Sequence, residues 1–235
     1  CLFFTRSKWI YLSGINFTDS MYTFPPLLYC FICLMQQNRE LRTLLKKKRR
    51  ALNSTMQKKI EVQILHQMIQ QPKFYHAKKI GIYLHAFGEV QTQKLIEYCF
   101  KQGKNVFLPM ICNMSLKLVW IQITQHQYRS KRFAMHRLGM LEPMKSRGFH
   151  VSALDFLILP LLACDQLGTR MGMGAGFYDR TLATAPKRPY RVGIAHDFQL
   201  LSEPLQRNAW DQPLDVLITP SKVYRFSRHS SLFRL

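Results

Sequence analysis

Between Asp155 and Pro186 the chain passes from an apolar run through a turn into three alternate glycines, then into a helix-forming stretch. The run, Asp155-Phe-Leu-Ile-Leu-Pro-Leu-Leu-Ala163, has the composition of a parallel-sheet strand buried on both faces. Asp165-Gln-Leu-Gly168 reads as a turn, and Thr181 to Ala185 as a helix ended by Pro186. In open α/β sheets, ligands bind beyond the carboxyl ends of parallel strands, which is where such a loop would lie. This order of segments constrains the fold more than any other feature of the chain.

The loop itself is Arg170-Met-Gly-Met-Gly-Ala-Gly-Phe-Tyr-Asp179-Arg180. Gly172, Gly174 and Gly176 permit positive φ and close backbone approach to a bound group. A helix starting near Gly176 would turn its free N–H groups toward phosphate. Arg170 adds a charge-assisted fork, and Asp179 a carboxylate suited to the Mg²⁺ that accompanies a nucleotide. The competing reading is a tight turn or packing site. Neither a P-loop nor a dinucleotide fingerprint matches, because the spacing is Gly-x-Gly-x-Gly and no Lys-Ser/Thr follows.

Elsewhere helices alternate with strands. Gln36–Leu52 and Ser54–Gln71 are expected helices, the second capped at Asn53-Ser54 and stopped by Pro72. Strands are expected over 79–84, 104–109, 116–121, 155–160, 190–195 and 215–219, with helices over 92–102 and 175–185. The strands at 104–109 and 116–121 are spaced for a hairpin, and 124–150 is basic and irregular. The alternation argues for an α/β fold on a mostly parallel sheet flanked by helices.

Lys and Arg outnumber Asp and Glu by 34 to 13, a formal charge of +21. Such a surface attracts polyanions, yet no helix-turn-helix, zinc-finger or RNA-recognition signature is present. Solvated faces and anionic small substrates account for it as well as a nucleic-acid groove does; no specific nucleic-acid partner is expected, and a nucleic-acid-binding module is the second reading. Six cysteines in a chain of this size do not make a disulfide scaffold. Cys30-Phe-Ile-Cys33 lacks a second ligand pair, so it is read as apolar packing and the compartment as the cytoplasm. Residues 1–35 differ in composition from the rest. Met35 is taken as the biological start, and 1–34 as a non-native or disordered upstream extension. A membrane anchor is the alternative, although the apolar stretch 21–35 is shorter than the ~20 residues a spanning helix needs.

Glu89, in His85-Ala-Phe-Gly-Glu-Val-Gln-Thr92, follows the first strand. There it can accept hydrogen bonds from a planar heterocycle, or it can be a helix N-terminal acid; both remain open. Asp211 before the last strand is either a second magnesium carboxylate or a turn aspartate, with Asp215 as its competitor. His196-Asp197 is read as structural.

Taken in order, these residues resemble the 5-formyltetrahydrofolate cyclo-ligase (5,10-methenyltetrahydrofolate synthetase) family over residues 36–226, leaving 227–235 as a tail. The resemblance rests on Arg39-Glu-Leu-Arg42 with Arg50-Ala-Leu, Gly88-Glu-Val-Gln-Thr92, Val106-Phe-Leu-Pro109, Pro160 through Arg180, Val192-Gly-Ile-Ala-His196, Trp210-Asp-Gln-Pro213 and Thr219-Pro-Ser-Lys222. It implies a three-layer fold like that of sugar-phosphate isomerases and CoA transferases. It also implies a monomer converting 5-formyltetrahydrofolate and ATP, with Mg²⁺, to 5,10-methenyltetrahydrofolate, ADP and phosphate. The implied ATP-binding residues are Arg39, Arg42, Arg170, Met171, Gly172, Met173, Gly174, Ala175, Gly176, Phe177 and Tyr178, with Arg170 also catalytic. Leu84, Glu89 and Met173 through Phe177 (Gly174, Ala175 and Gly176 included) would bind folate, and Asp179 and Asp211 the metal. Asn38 stands where many members have a lysine, and Ala175 where many have glycine or lysine.

Overall fold

In a computed structural model, residues 26–144 and 147–228 are described, with side chains from residue 36 onward. The readings of residues 1–25, of the Cys30–Cys33 side chains and of the tail beyond 228 lie outside the described residues. Two compact units are distinguished, 1–41 and 42–235. Of the first, the described part is helical from Pro26.

The elements run α1 (Pro26–Arg50), α2 (Ser54–Ile69), α3 (Pro72–His76), β1 (Lys79–Gly81), α4 (Gln93–Lys101), β2 (Asn105–Cys112) and β3 (Lys117–Ile123). They continue with α5 (Gln125–Arg129), β4 (Phe133–Met135), β5 (Leu141–Pro143), β6 (Phe156–Leu159), β7 (Ala163–Cys164) and β8 (Arg170–Met171). The last are α6 (Phe177–Leu182), β9 (Tyr190–Ile194), β10 (Val216–Ile218) and β11 (Val223–Arg225). A seven-stranded sheet has the order β11-β10-β9-β6-β1-β2-β3. Its inner strands are parallel, and β3 and β11 close the two edges antiparallel. The α/β expectation holds.

Strand alternation sorts the core into two faces. Ile80, Val106, Leu108, Phe156, Ile158, Val192, Ile194, Val216 and Ile218 pack with Ile60, Ile64 and Met68 of α2, Phe74 of α3 and Leu95, Ile96 and Cys99 of α4. Phe107, Leu157, Leu159 and Leu217 point the other way, with Trp120, Leu154 and Leu182. Two strand glycines lie on this second face for lack of room. A Cβ at Gly81 would come within 2.6 Å of Leu154, and one at Gly193 within 2.6 Å of Leu161 and Leu214. Every inner strand is thus buried on both sides, which is why these segments read as continuous apolar runs.

Several boundaries differ from the sequence reading. The Asn53 cap is present, its Oδ1 accepting from the Met56 N–H at 2.8 Å. Pro72, expected to stop the second helix, also opens α3, where its missing N–H costs nothing. The strand expected over 79–84 pairs only through Gly81, and the helix expected over 175–185 is six residues long. The irregular 124–150 segment contains α5 and the β4–β5 hairpin. The β7–β8 pair and the edge strand β11 were not expected from the sequence.

Candidate active site

Three parallel strands end in segments that buried side chains draw together. Beyond β1, the Glu89 N–H donates to the Ala86 carbonyl at 3.0 Å, and the Ala86 N–H returns a bond to Glu89 Oε2 at 3.1 Å. Arg49, only 1% exposed, donates from Nη2 to the Phe87 carbonyl at 3.0 Å and from Nη1 to Leu161, beyond β6, at 3.3 Å. Its Nη1 also lies 3.8 Å from Glu89 Oε1. His196, beyond β9, places Nε2 at 3.1 Å from the Gly88 carbonyl. That carbonyl requires Nε2 to carry the proton, which leaves Nδ1 as an acceptor.

Burial pushes the Glu89 carboxyl up to about 7, against the opposing pull of Arg49 and the Ala86 N–H. Burial, reinforced by the Glu89 charge, likewise raises the Tyr83 and Tyr178 hydroxyls. Glu89 is not the acid that caps α4. The N-terminus of α4 is capped from α2 instead, the Lys94 N–H donating to Glu61 Oε1 at 2.8 Å. Glu89 is a largely buried acid at the strand ends, its side chain 11% exposed.

The glycine loop is built on a second set of contacts. Asp165, fully buried, accepts from the N–H groups of Leu167 and Thr169 with Oδ1 and from that of Leu205 with Oδ2. These bonds fix the turn between β7 and β8 that delivers Arg170. Arg170 Nη2 meets Asp179 Oδ1 at 2.8 Å, and its guanidinium lies 5.6 Å from the centre of the Tyr178 ring. Arg42 Nε reaches the Gly172 carbonyl at 3.4 Å. Arg180 holds the far side, Nη2 donating to the Ala175 carbonyl at 2.8 Å and Nε to Leu116 at 3.0 Å. Gly174 and Gly176 have φ of +108° and +68°, the conformations for which the sequence required glycine. Met173, Gly174 and Ala175 form the exposed rim, while Met171 is buried and bonded to Leu162.

The Asp179 carboxylate also accepts from the Gln212 N–H, at 3.2 Å, again on Oδ1. Asp211, the neighbour of Gln212, uses Oδ2 to accept from the backbone and side-chain nitrogens of Asn208. Asp211 therefore does make the turn contact foreseen as its alternative role, with both bonds on one oxygen. Asp215 is committed elsewhere, to Arg228 Nε at 2.6 Å and the Arg191 N–H at 2.7 Å. Among the described residues no cluster of three or more His, Cys, Asp and Glu could hold a metal. Asp179 and Asp211 each keep one carboxylate oxygen outside these bonds, and carboxylates are a donor type that suits Mg²⁺.

A family model described as the 5-formyltetrahydrofolate cyclo-ligase family matches residues 34–220. The chain belongs to this family. Among its relatives is the 5-formyltetrahydrofolate cyclo-ligase of Escherichia coli K12, 37% identical over 187 residues, covering 78% of this chain and all of that protein. The Haemophilus influenzae protein of the same name is 31% identical over 78% of this chain and 98% of its own length. A solved structure, the 5,10-methenyltetrahydrofolate synthetase of Aquifex aeolicus, superposes with a TM-score of 0.67 at 29% identity, covering 80% of this chain and 92% of that one. The chain is accordingly an enzyme, a ligase of folate one-carbon chemistry. No helix among the described residues is long and apolar enough to cross a membrane.

Of the residues named from the sequence, Arg42, Arg170, Gly172, Tyr178 and Asp179 are linked by the contacts above, and Asp211 adjoins them through Gln212. Glu89 belongs to the separate set of contacts made with Arg49 and Ala86. Leu84 is half-buried and packs on the first core face, and Phe177 packs on the second under Arg180. Arg39 lies in the first unit. Sequence reasoning missed Arg49, Tyr83, Asp165, Arg180 and Gln212. Arg49 was visible only as one of five consecutive basic residues, with nothing to mark it as the one turned inward.

Proposed function

We propose that the chain converts 5-formyltetrahydrofolate to 5,10-methenyltetrahydrofolate with consumption of MgATP and release of ADP and phosphate. The observation that carries this reading is the family match over residues 34–220, within which Arg170, paired with Asp179 at 2.8 Å, stands at the head of the glycine loop. The reading brings a heterocycle-binding acid and a phosphate-binding loop into one site.

In this reading Glu89 accepts hydrogen bonds from the N–H groups of the reduced pterin, beside Leu84. Met173 through Phe177 flank the formyl group, and the backbone N–H groups of the glycine loop, with Arg42 and Arg170, bind the triphosphate. The formyl oxygen attacks the γ-phosphorus: an O–P bond forms, the bond to the β-phosphate oxygen breaks, and ADP leaves. Folate N10 then attacks the activated formyl carbon. Phosphate departs with the C–O bonding electrons, and N10 gives up its proton. An amide-type oxygen leaves poorly until phosphorylated, so the protein need only align the partners and stabilise charge. Arg170, held by Asp179 against the Tyr178 ring, supplies fixed positive charge where the transferred phosphoryl group develops negative charge. Mg²⁺ on Asp179 and Asp211 would neutralise the polyphosphate. Asp179 would thus serve two partners, orienting Arg170 through Oδ1 and offering its other oxygen to hold the metal.

Incubating the protein with 5-formyltetrahydrofolate and MgATP, and following the near-ultraviolet absorbance of the methenyl product, tests the proposal. Product is expected only when folate, ATP and Mg²⁺ are all present. A folded protein that forms none refutes it, and product formed without ATP refutes the phosphorylated intermediate.

A further inference from the structure

Arg49 is among the largest fully buried side chains of the protein, and nothing in the reaction above uses it. A buried guanidinium is costly unless its donors are paired and its charge is answered. Its partners here come from two different strand ends: the Phe87 carbonyl beyond β1 and the Leu161 carbonyl beyond β6. The Glu89 carboxylate, 3.8 Å from Nη1, is too distant for a hydrogen bond and close enough to feel the charge. The backbone of α1 presses on the same loop. A Cβ at Gly88, where φ is +76°, would stand 2.8 Å from the Arg49 carbonyl oxygen.

We propose that Arg49 is a positioning residue of the folate half-site, fixing the Phe87–Glu89 loop through two carbonyls and placing a counter-charge behind the Glu89 carboxylate. The inference rests on the reading that Glu89 binds the folate ring. Arg49 is too deep to touch substrate and acts through Glu89. It is also the residue that joins the loop beyond β1 to the segment leading into the glycine loop.

The charged and titratable groups around the pair are few. Arg49 and its neighbour Arg50 come from α1, Tyr83 follows β1, Tyr178 comes from α6, and His196 follows β9. The tyrosines are held neutral by burial, first of all, with the Glu89 charge adding to it. His196 is held neutral by burial and by the charge of Arg49, against the opposing effect of its bond to Gly88. Arg49 is thus the cation answering Glu89. Its removal raises the pH at which Glu89 takes up a proton, because burial then acts with less opposition.

The test is steady-state kinetics of the full chain from pH 6 to 9, with 5-formyltetrahydrofolate varied at saturating MgATP and MgATP varied at saturating folate. For Arg49→Met we expect a folate KM raised about tenfold or more, with the acid limb of kcat/KM moved up by about one unit or more. The KM for MgATP should stay within about twofold. Arg49→Lys keeps a charge but not the planar fork, so the limb should stay near its wild-type place while the folate KM rises. Wild-type folate KM and an unmoved limb in both variants would overturn the inference. If Arg49→Met does not fold, Arg49→Lys decides alone, and an unchanged folate KM overturns it. Glu89→Gln, measured alongside, separates the two failures. Unaltered folate kinetics there would mean that Glu89 does not read the substrate, whereas a damaged Glu89→Gln beside an undisturbed Arg49 series removes only the positioning role.

Discussion

A Cβ added at Gly88 would strike the Arg49 backbone at 2.8 Å, whereas one added at Gly174 would meet no atom within 4 Å. Both glycines sit at positive φ, yet one loop is crowded and the other open. The Phe87–Glu89 loop is gripped by Arg49, by His196 and by its own paired bonds to Ala86. The 172–176 loop is touched from outside mainly by the tips of Arg42, Arg170 and Arg180. The difference matches the two ligands proposed. A neutral heterocycle read by one buried carboxylate needs that carboxylate preset, since little binding energy is left over to order it. A polyphosphate brings its own charge and many acceptor oxygens, so a loop of free N–H groups can be completed by the ligand itself.

The comparison breaks most sharply at Asp179. Asp179→Asn should lower kcat by about a hundredfold or more while circular dichroism and melting temperature stay close to wild type. Full turnover would remove both its metal role and its hold on Arg170. Gly88→Ala is next: strain at φ +76° plus the backbone clash should cost about 2–4 kcal/mol of stability, read by denaturant titration. If Gly88→Ala proves as mild as Gly174→Ala, the crowded loop is not preset. Glu89→Gln should raise the folate KM about tenfold or more and leave that for MgATP alone. The wild-type protein should lose folate kcat/KM as pH falls through about 7, since the carboxylate must be charged to accept; in the amide variant that dependence should vanish. Gly174→Ala closes the series. With open space around it, only backbone strain of about 1–2 kcal/mol remains, and MgATP KM should change by a few-fold at most.

The inner strands were legible because burial on both faces leaves a run such as Phe156–Leu159 with no polar interruption. The glycine loop was legible because only glycine serves at Gly174 and Gly176. What escaped was defined by tertiary contact. The β7–β8 pair is two residues against two and has no period to detect. The edge strand β11 exists because β10 is there to pair with, and β4–β5 is a short hairpin in a basic, polar stretch. Site residues divide in the same way. Asp179 and Arg170 stand beside the glycines that advertise them, whereas Arg49 hides among Lys46, Lys47, Lys48 and Arg50, and its inward turn is settled by carbonyls 38 and 112 residues away. Gln212 acts through its backbone N–H, for which no side-chain pattern exists.

The position of β6 in the middle of the sheet bears on how the chain acquires its structure. It pairs with β1 on one side and β9 on the other, and it is the strand joining β1-β2-β3 to β9-β10-β11. As the polypeptide leaves the ribosome, β1 has its β2 partner early, but its other edge stays open until Phe156 has been synthesised. The decisive pairing spans a long loop whose closure entropy must be met before the contact is formed. Refolding should accordingly be slow for a chain of this size, and truncations ending before β6 should aggregate through the exposed edge of β1.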